Sequence, residues 1–113
     1  MKGTAMSNDP KNEDLQILIS VDKVIHEPAR LMIVIYLYVV ESADFIFLMN
    51  QTGLTRGNLS SHIGKLEKAG YAEVEKQFVN KKPRTLLRLT KQGRKAFRNY
   101  KNSMKRVLDD VSD

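Results

Sequence analysis

A chain of 113 residues with a formal net charge of +6 makes one domain with a modest core and favours a polyanionic partner. It has no cysteine, which excludes disulfides and thiolate metal sites. The apolar run Leu31 to Val40 is too short to span a bilayer, and no charged segment followed by an apolar stretch opens the chain. No membrane partner is therefore expected, and a cytoplasmic location is.

The charge is unevenly spread. From Thr55 to Arg106 fifteen Lys and Arg stand against Glu67, Glu73 and Glu75, whereas residues 1–54 and the end of the chain are each net acidic. A basic half of this kind is the footprint of a nucleic acid. A basic lipid-binding helix would also need an aromatic-rich apolar face, which is missing here.

In chain order, residues 1–12 are small and polar and are expected to form a disordered tail. Leu15, Leu18, Val21 and Ile25 recur at helical spacing, which predicts a first helix from about 15 to 25. Pro28 suits the first turn of a second helix over about 28–41, apolar nearly all round and central to the core. Ser42-Ala43-Asp44 breaks it, and Asp44 caps a short helix over about 45–52 that Gly53 closes.

The next segment is the most informative. Thr55 caps a helix over about 55–69 whose Leu59, Ile63 and Leu66 line one buried stripe, with Gly70 as the stop. Its other side carries Gly57, Ser60, Ser61, Gly64, Lys65 and Lys68, with Asn58 and Arg56 on the flanks and no carboxylate. Short donors with flanking cations suit base edges and phosphates of a major groove.

After Gly70 the period changes from 3.6 to 2. Ala72, Val74 and Phe78 alternate with polar neighbours. A strand Arg84–Leu89 returns after the turn Asn80-Lys81-Lys82-Pro83. Glu73 and Glu75 are expected opposite Arg88. Thr90 then caps a last helix of about 91–111, with Phe97, Tyr100, Met104, Val107 and Val111 on a narrow heptad seam. Such a seam either packs on its own domain or meets a second copy. The second reading is adopted, with the first helix as its partner.

The fold expected is mainly α with a small β-hairpin, a winged helix-turn-helix with N- and C-terminal dimerisation helices. Residues 13–90 form the DNA-binding domain, first helix included, and residues 91–113 the dimerisation helix.

The run Thr52-Gly53-Leu54-Thr55-x-Gly57-Asn58-Leu59-Ser60-x-His62-x-x-Lys65-Leu66-Glu67-x-Ala69-Gly70-Tyr71 resembles small archaeal and bacterial winged-helix transcriptional regulators related to the MarR and ArsR groups. Lys81-Lys82-Pro83-x-Thr85 and Leu89-Thr90-x-x-Gly93-Arg94 look like that family's wing and final-helix entry. The resemblance implies a dimeric regulator whose helix over 55–69 enters the major groove and whose wing, about 79–84, lies on the backbone or in the minor groove. Metal sensing of the ArsR kind is not implied, because its cysteines are missing.

The expected DNA contacts are Thr55, Arg56, Gly57, Asn58, Ser60, Ser61, Lys65, Lys81, Lys82 and Arg84, with Thr55 serving first as a cap. The expected dimer interface is Leu15, Leu18, Phe97, Tyr100, Met104, Val107 and Val111. His62 reads as a boundary residue, not a ligand. No cofactor and no metal are expected. The chain shows no Ser-His-Asp arrangement, phosphate-binding glycine loop or metal-ligand cluster, so no enzyme is expected either.

The primary reading is a homodimeric, sequence-specific regulator of double-stranded DNA. A small-molecule effector of unknown identity is left open. The second reading is a winged-helix protein-interaction module without DNA binding, for which Phe47 or Leu86 would matter more than the cations.

Overall fold

A computed structural model describes residues 12–111, the Asn12 side chain excepted. Most of the expected tail over residues 1–12 lies outside the described residues; Asn12 itself begins α1 (Asn12–Ser20). The first helix thus starts and ends earlier than its apolar spacing predicts. The reason is Asp22, whose carboxylate accepts from Val24 N at 2.9 Å and Ile25 N at 3.1 Å. A short acid that binds its own downstream amides competes with helix continuation. Val21 and Ile25 are still buried, but in the turn.

Helix α2 (Pro28–Val40) has Pro28 at its start and Glu27 as its cap, accepting from Arg30 N at 2.8 Å. It buries Ile33, Val34 and Leu37. Where only a break was expected, Ser42–Asp44 form a strand, β1. Three residues are too few to show a period, so only pairing with a distant segment reveals it.

Asp44 caps α3 (Phe45–Thr52), and Gly53 ends it at φ 73°, the left-handed region that glycine adopts without strain. Thr55 accepts from Asn58 N at 3.1 Å to start α4 (Arg56–Lys68), whose Leu59, Ile63 and Leu66 are buried.

Strands β2 (Ala72–Val79) and β3 (Lys82–Leu89) form the hairpin, and β1 pairs on the other side of β3, antiparallel throughout. The turn is shorter than expected. Only Asn80 and Lys81 lie outside the strands, at φ 52° and 64°. Two positive φ values match the twist of the flanking strands, so the pairing runs to the tip and takes in Lys82 and Pro83. Proline is tolerated there because β1 reaches only the far end of β3, from Leu86 to Arg88.

Helix α5 (Lys91–Asp109) follows its Thr90 cap. Its first turn lies on the α4–β2 junction: Thr90 N donates to Tyr71 O, and Thr90 Oγ1 donates to Gly70 O at 2.6 Å.

Two apolar clusters result. The larger joins α2, α3, α4 and the sheet; the smaller joins Val21, Ile25 and Tyr100. Tyr71 and Phe97 pack against both. Buried Asp14 on α1 meets Arg106 of α5 at 2.8 Å. Helix, short helix, helix and hairpin, flanked by two further helices, is the winged helix that the sequence predicts.

Candidate nucleic-acid interface

Burying Leu59, Ile63 and Leu66 turns the opposite side of α4 outward. Thr55, Arg56, Gly57, Asn58, Ser60, Ser61 and Lys65 are all exposed, as are Lys81, Lys82 and Arg84 on the hairpin. A Cβ built on Gly57 or Gly64 would meet nothing within 4 Å. Packing inside the chain therefore gives no reason for these two glycines. The outer wall of α4 is a shallow, polar strip with room for a close external body.

The hairpin runs alongside this strip. A groove lined by Arg56, Ser60, Gly64 and Glu67 on α4 and by Val74, Lys76 and Thr85 on the hairpin separates the two. Farther out, Arg56 meets Pro83–Thr85 around a second hollow, which Asp44 also lines. Arg56 lies over the Phe45 ring, 5.5 Å from its centre, which holds the guanidinium at the start of α4.

On the other flank of α4, a cavity of about 400 Å³ is lined by Lys23, Arg30, Lys65 and Lys68 with Val24 and Ala69. Arg30 is fixed from behind: its Nε donates to Val24 O at 2.6 Å, and a terminal nitrogen lies 3.2 Å from His62. His62 is therefore a boundary residue facing Arg30 and Glu27. The carboxylate of Glu27 is held below the usual range, first by the Arg30 backbone amide and also by the His62 and Arg30 charges.

Several cations of the basic half are engaged within the chain. Arg84 lines the outer hollow with Arg56 and donates to Asp44 at 3.0 Å, so its charge is shared with an acid. Desolvation pushes the Asp44 carboxyl up, but the Ile46 amide and the Arg84 guanidinium outweigh it and leave the group below its ordinary value. Arg88 sits between Glu73 and Glu75, as its place in the hairpin predicts. Arg94 donates to the carbonyls of Leu37 and Tyr38 and closes the end of α2. Lys65, Lys68, Lys76, Lys81 and Lys82 take part in no ion pair among the described residues, and all five flank α4 or the wing tip.

Lys23, Lys68 and Lys76 were not among the expected contacts. Lys68 was legible from the helix period. Lys23 and Lys76 reach the surface only through the α1–α2 turn and the hairpin register, which local spacing does not encode.

The expected dimer residues divide into two groups. Tyr100 and Val107 are buried within the chain, and Phe97 and Met104 pack partly buried against its clusters. Leu15, Leu18 and Val111 are exposed, with Ile19 and Leu108 beside them in the sequence. The last helix packs back on its own domain at the first four positions, because α1 lies against α5. A partner has only the outer edge of the seam to meet.

This is the architecture of a winged-helix protein with an open, cation-flanked α4. Residues 29–108 match the family model of a winged helix DNA-binding domain. The protein MJ0432 of Methanocaldococcus jannaschii is 36% identical over 78 residues, which are 69% of this chain and 85% of that protein. A transcriptional regulator homologue from Pyrococcus horikoshii OT3 has a similar structure, with a TM-score of 0.79 at 33% identity over 86% of this chain and 95% of that one. A regulator of the MarR family from Enterococcus faecalis V583 shares the fold at 22% identity and a TM-score of 0.63, over 88% of this chain and 86% of its own. The chain belongs to the winged helix DNA-binding domain family, and its fold is that of MarR-like transcriptional regulators. No described helix is long and apolar enough to cross a membrane.

Proposed function

We propose that the protein is a homodimeric, sequence-specific regulator that binds double-stranded DNA in the cytoplasm, a binding protein and not a catalyst. Helix α4 enters the major groove, and the hairpin tip follows the backbone into the neighbouring minor groove. The observation that carries this reading is the outer wall of α4, where Gly57 and Gly64 meet no neighbour, with Lys65 and Lys68 on one flank and Arg56 and Lys76 on the other.

Asn58, Ser60 and Ser61 are the base-edge candidates. Lys65, Lys68 and Lys23 hold the backbone on one flank, and Arg56, Lys76, Lys81 and Lys82 on the other. Arg84 contributes less than its neighbours because Asp44 already shares its charge.

The test is titration of a labelled duplex, selected by the protein from a random pool, at several salt concentrations. With about 6–10 phosphate contacts per dimer, log K falls against log[salt] with a slope of roughly −5 to −9. Lys65→Ala lowers affinity and flattens that slope. Binding indifferent to salt would refute the reading.

The cavity between Lys23, Arg30, Lys65 and Lys68 supports one addition. Its cations and aliphatic walls suit a small organic anion, which would compete with the backbone for Lys65. Of the two residues named for the protein-interaction alternative, Phe47 is exposed beside Tyr36, whereas Leu86 is half-buried. Recovery of a protein partner in high salt, with no DNA retained, would favour it.

A further inference from the structure

Phe78 lies at the hairpin tip and is 74% exposed, the most exposed large apolar side chain described. It pairs across the hairpin with Pro83, which is exposed too. On the same face, the pairs Ala72–Leu89 and Val74–Leu87 enter the core, and Lys76–Thr85 line the groove against α4. Alternation therefore puts Phe78 on the α4 side of the wing. It lies four positions beyond Val74, about 13 Å along the strand, so it projects well beyond the last residue that packs.

A phenyl ring left in water forgoes a large part of its transfer energy, and nothing among the described residues covers this one. The surroundings are cationic: Lys76, Lys81 and Lys82 form no ion pair among the described residues, and no acid occurs in the sequence between Glu75 and Asp109. This face looks across the groove lined by Lys76 and Thr85 toward the strip of α4.

We propose that Phe78 is an apolar wedge for the minor groove: it presses against a base step beside the site read by α4, partly unstacks it and bends the duplex. This rests on the DNA-binding reading above and adds a second mode of recognition to it. Cations on both sides of the ring seat the wing on the two phosphate rows, and the ring, lacking a donor, reads the ease with which a step opens. The wing thereby selects deformable steps, such as pyrimidine–purine ones, without base hydrogen bonds.

The experiment uses a 40-base-pair duplex enriched from a random pool by the wild-type protein, with 2-aminopurine at successive adenines and a dye pair at its ends. Wild type raises 2-aminopurine emission at one step outside the α4 site and shortens the end-to-end distance. Phe78→Ala abolishes both and weakens binding about 10-fold with an unchanged salt slope. Phe78→Leu keeps most of each, and thermal unfolding of both variants matches wild type.

Equal binding and bending by Phe78→Ala would overturn the wedge while leaving DNA recognition intact. Weaker binding without any emission change in wild type would also overturn it, reducing Phe78 to a surface contact. Loss of binding to phosphatidylglycerol vesicles, with DNA binding unaltered, would assign the tip to a lipid surface instead. A pool that yields no bound duplex would refute the DNA reading, and the wedge with it.

Discussion

Gly57 and Gly64 set stability against recognition at single positions. Both are helical, both cost a helix conformational entropy, and neither has a neighbour that would resist a methyl group. Gly64→Ala is expected to stabilise the fold by up to about 1 kcal/mol and raise the melting temperature by a few degrees. The same change weakens duplex binding, because the added methyl holds the helix off the groove floor. Thermal melts and DNA titrations of the two alanine variants measure both halves of this prediction. Variants that gain stability and bind as well as wild type would remove the glycines from the interface.

Gly93 is the opposite case. A Cβ there would overlap the backbone of Tyr71, because the first turn of α5 lies directly on the α4–β2 junction. Backbone cannot yield as a flexible side-chain tip can. Gly93→Ala should therefore cost about 3 kcal/mol or more, seen as a lowered urea midpoint.

At the scale of elements, Asp44 ties three of them together. Its backbone ends β1, its carboxylate caps α3 through Ile46 N at 2.7 Å, and it holds Arg84 of the wing. Its pKa is depressed in the fold, so its contribution is present above the unfolded value and lost as pH falls through the folded one. Acid should accordingly loosen the base of the wing first. Asp44→Asn should flatten that acid dependence in a melt series between about pH 5 and pH 2 while keeping part of the cap, since asparagine also accepts from an amide. An unchanged acid limb would show that other carboxylates dominate.

At the scale of the whole molecule, Tyr71 joins the two apolar clusters. Its hydroxyl donates to Asp22 in the α1–α2 turn, and its carbonyl accepts from Thr90 at the start of α5. The bond to Asp22, aided by burial, pushes its pKa up to about 12. A raised pKa means that the neutral form is favoured in the fold. This stability is complete below the ordinary tyrosine value and disappears as pH rises from about 10 to 12. Denaturant midpoints should fall more steeply across that window for wild type than for Tyr71→Phe.

The partner copy belongs to this scale too. With Tyr100 and Val107 buried in the chain, the proposed dimer rests on Leu15, Leu18, Ile19, Leu108 and Val111. Leu18→Glu should convert a dimer to a monomer in sedimentation without unfolding it, and lower DNA affinity as the second half-site contact is lost. A wild-type chain that sediments as a monomer at micromolar concentration would refute the dimer.

Local chemistry already determined much of this molecule. The caps Asp44, Thr55 and Thr90, the stop at Gly53 and the stripe Leu59-Ile63-Leu66 each act within one or two turns, so order and spacing alone reveal them. The polar, lysine-bearing face of α4 was legible for the same reason, but its expected freedom from acid fails at the groove edge, where exposed Glu67 stands beside Ser60 and Gly64. Other features were decided only by the folded chain: the strand at Ser42–Asp44, the pairing of Arg84 with Asp44, the recruitment of Lys23 to the flank of α4, and the packing of four of the five heptad-seam residues on their own domain. Each depends on contacts between residues far apart in sequence, and a local period records which side of an element is apolar but not which surface comes to cover it.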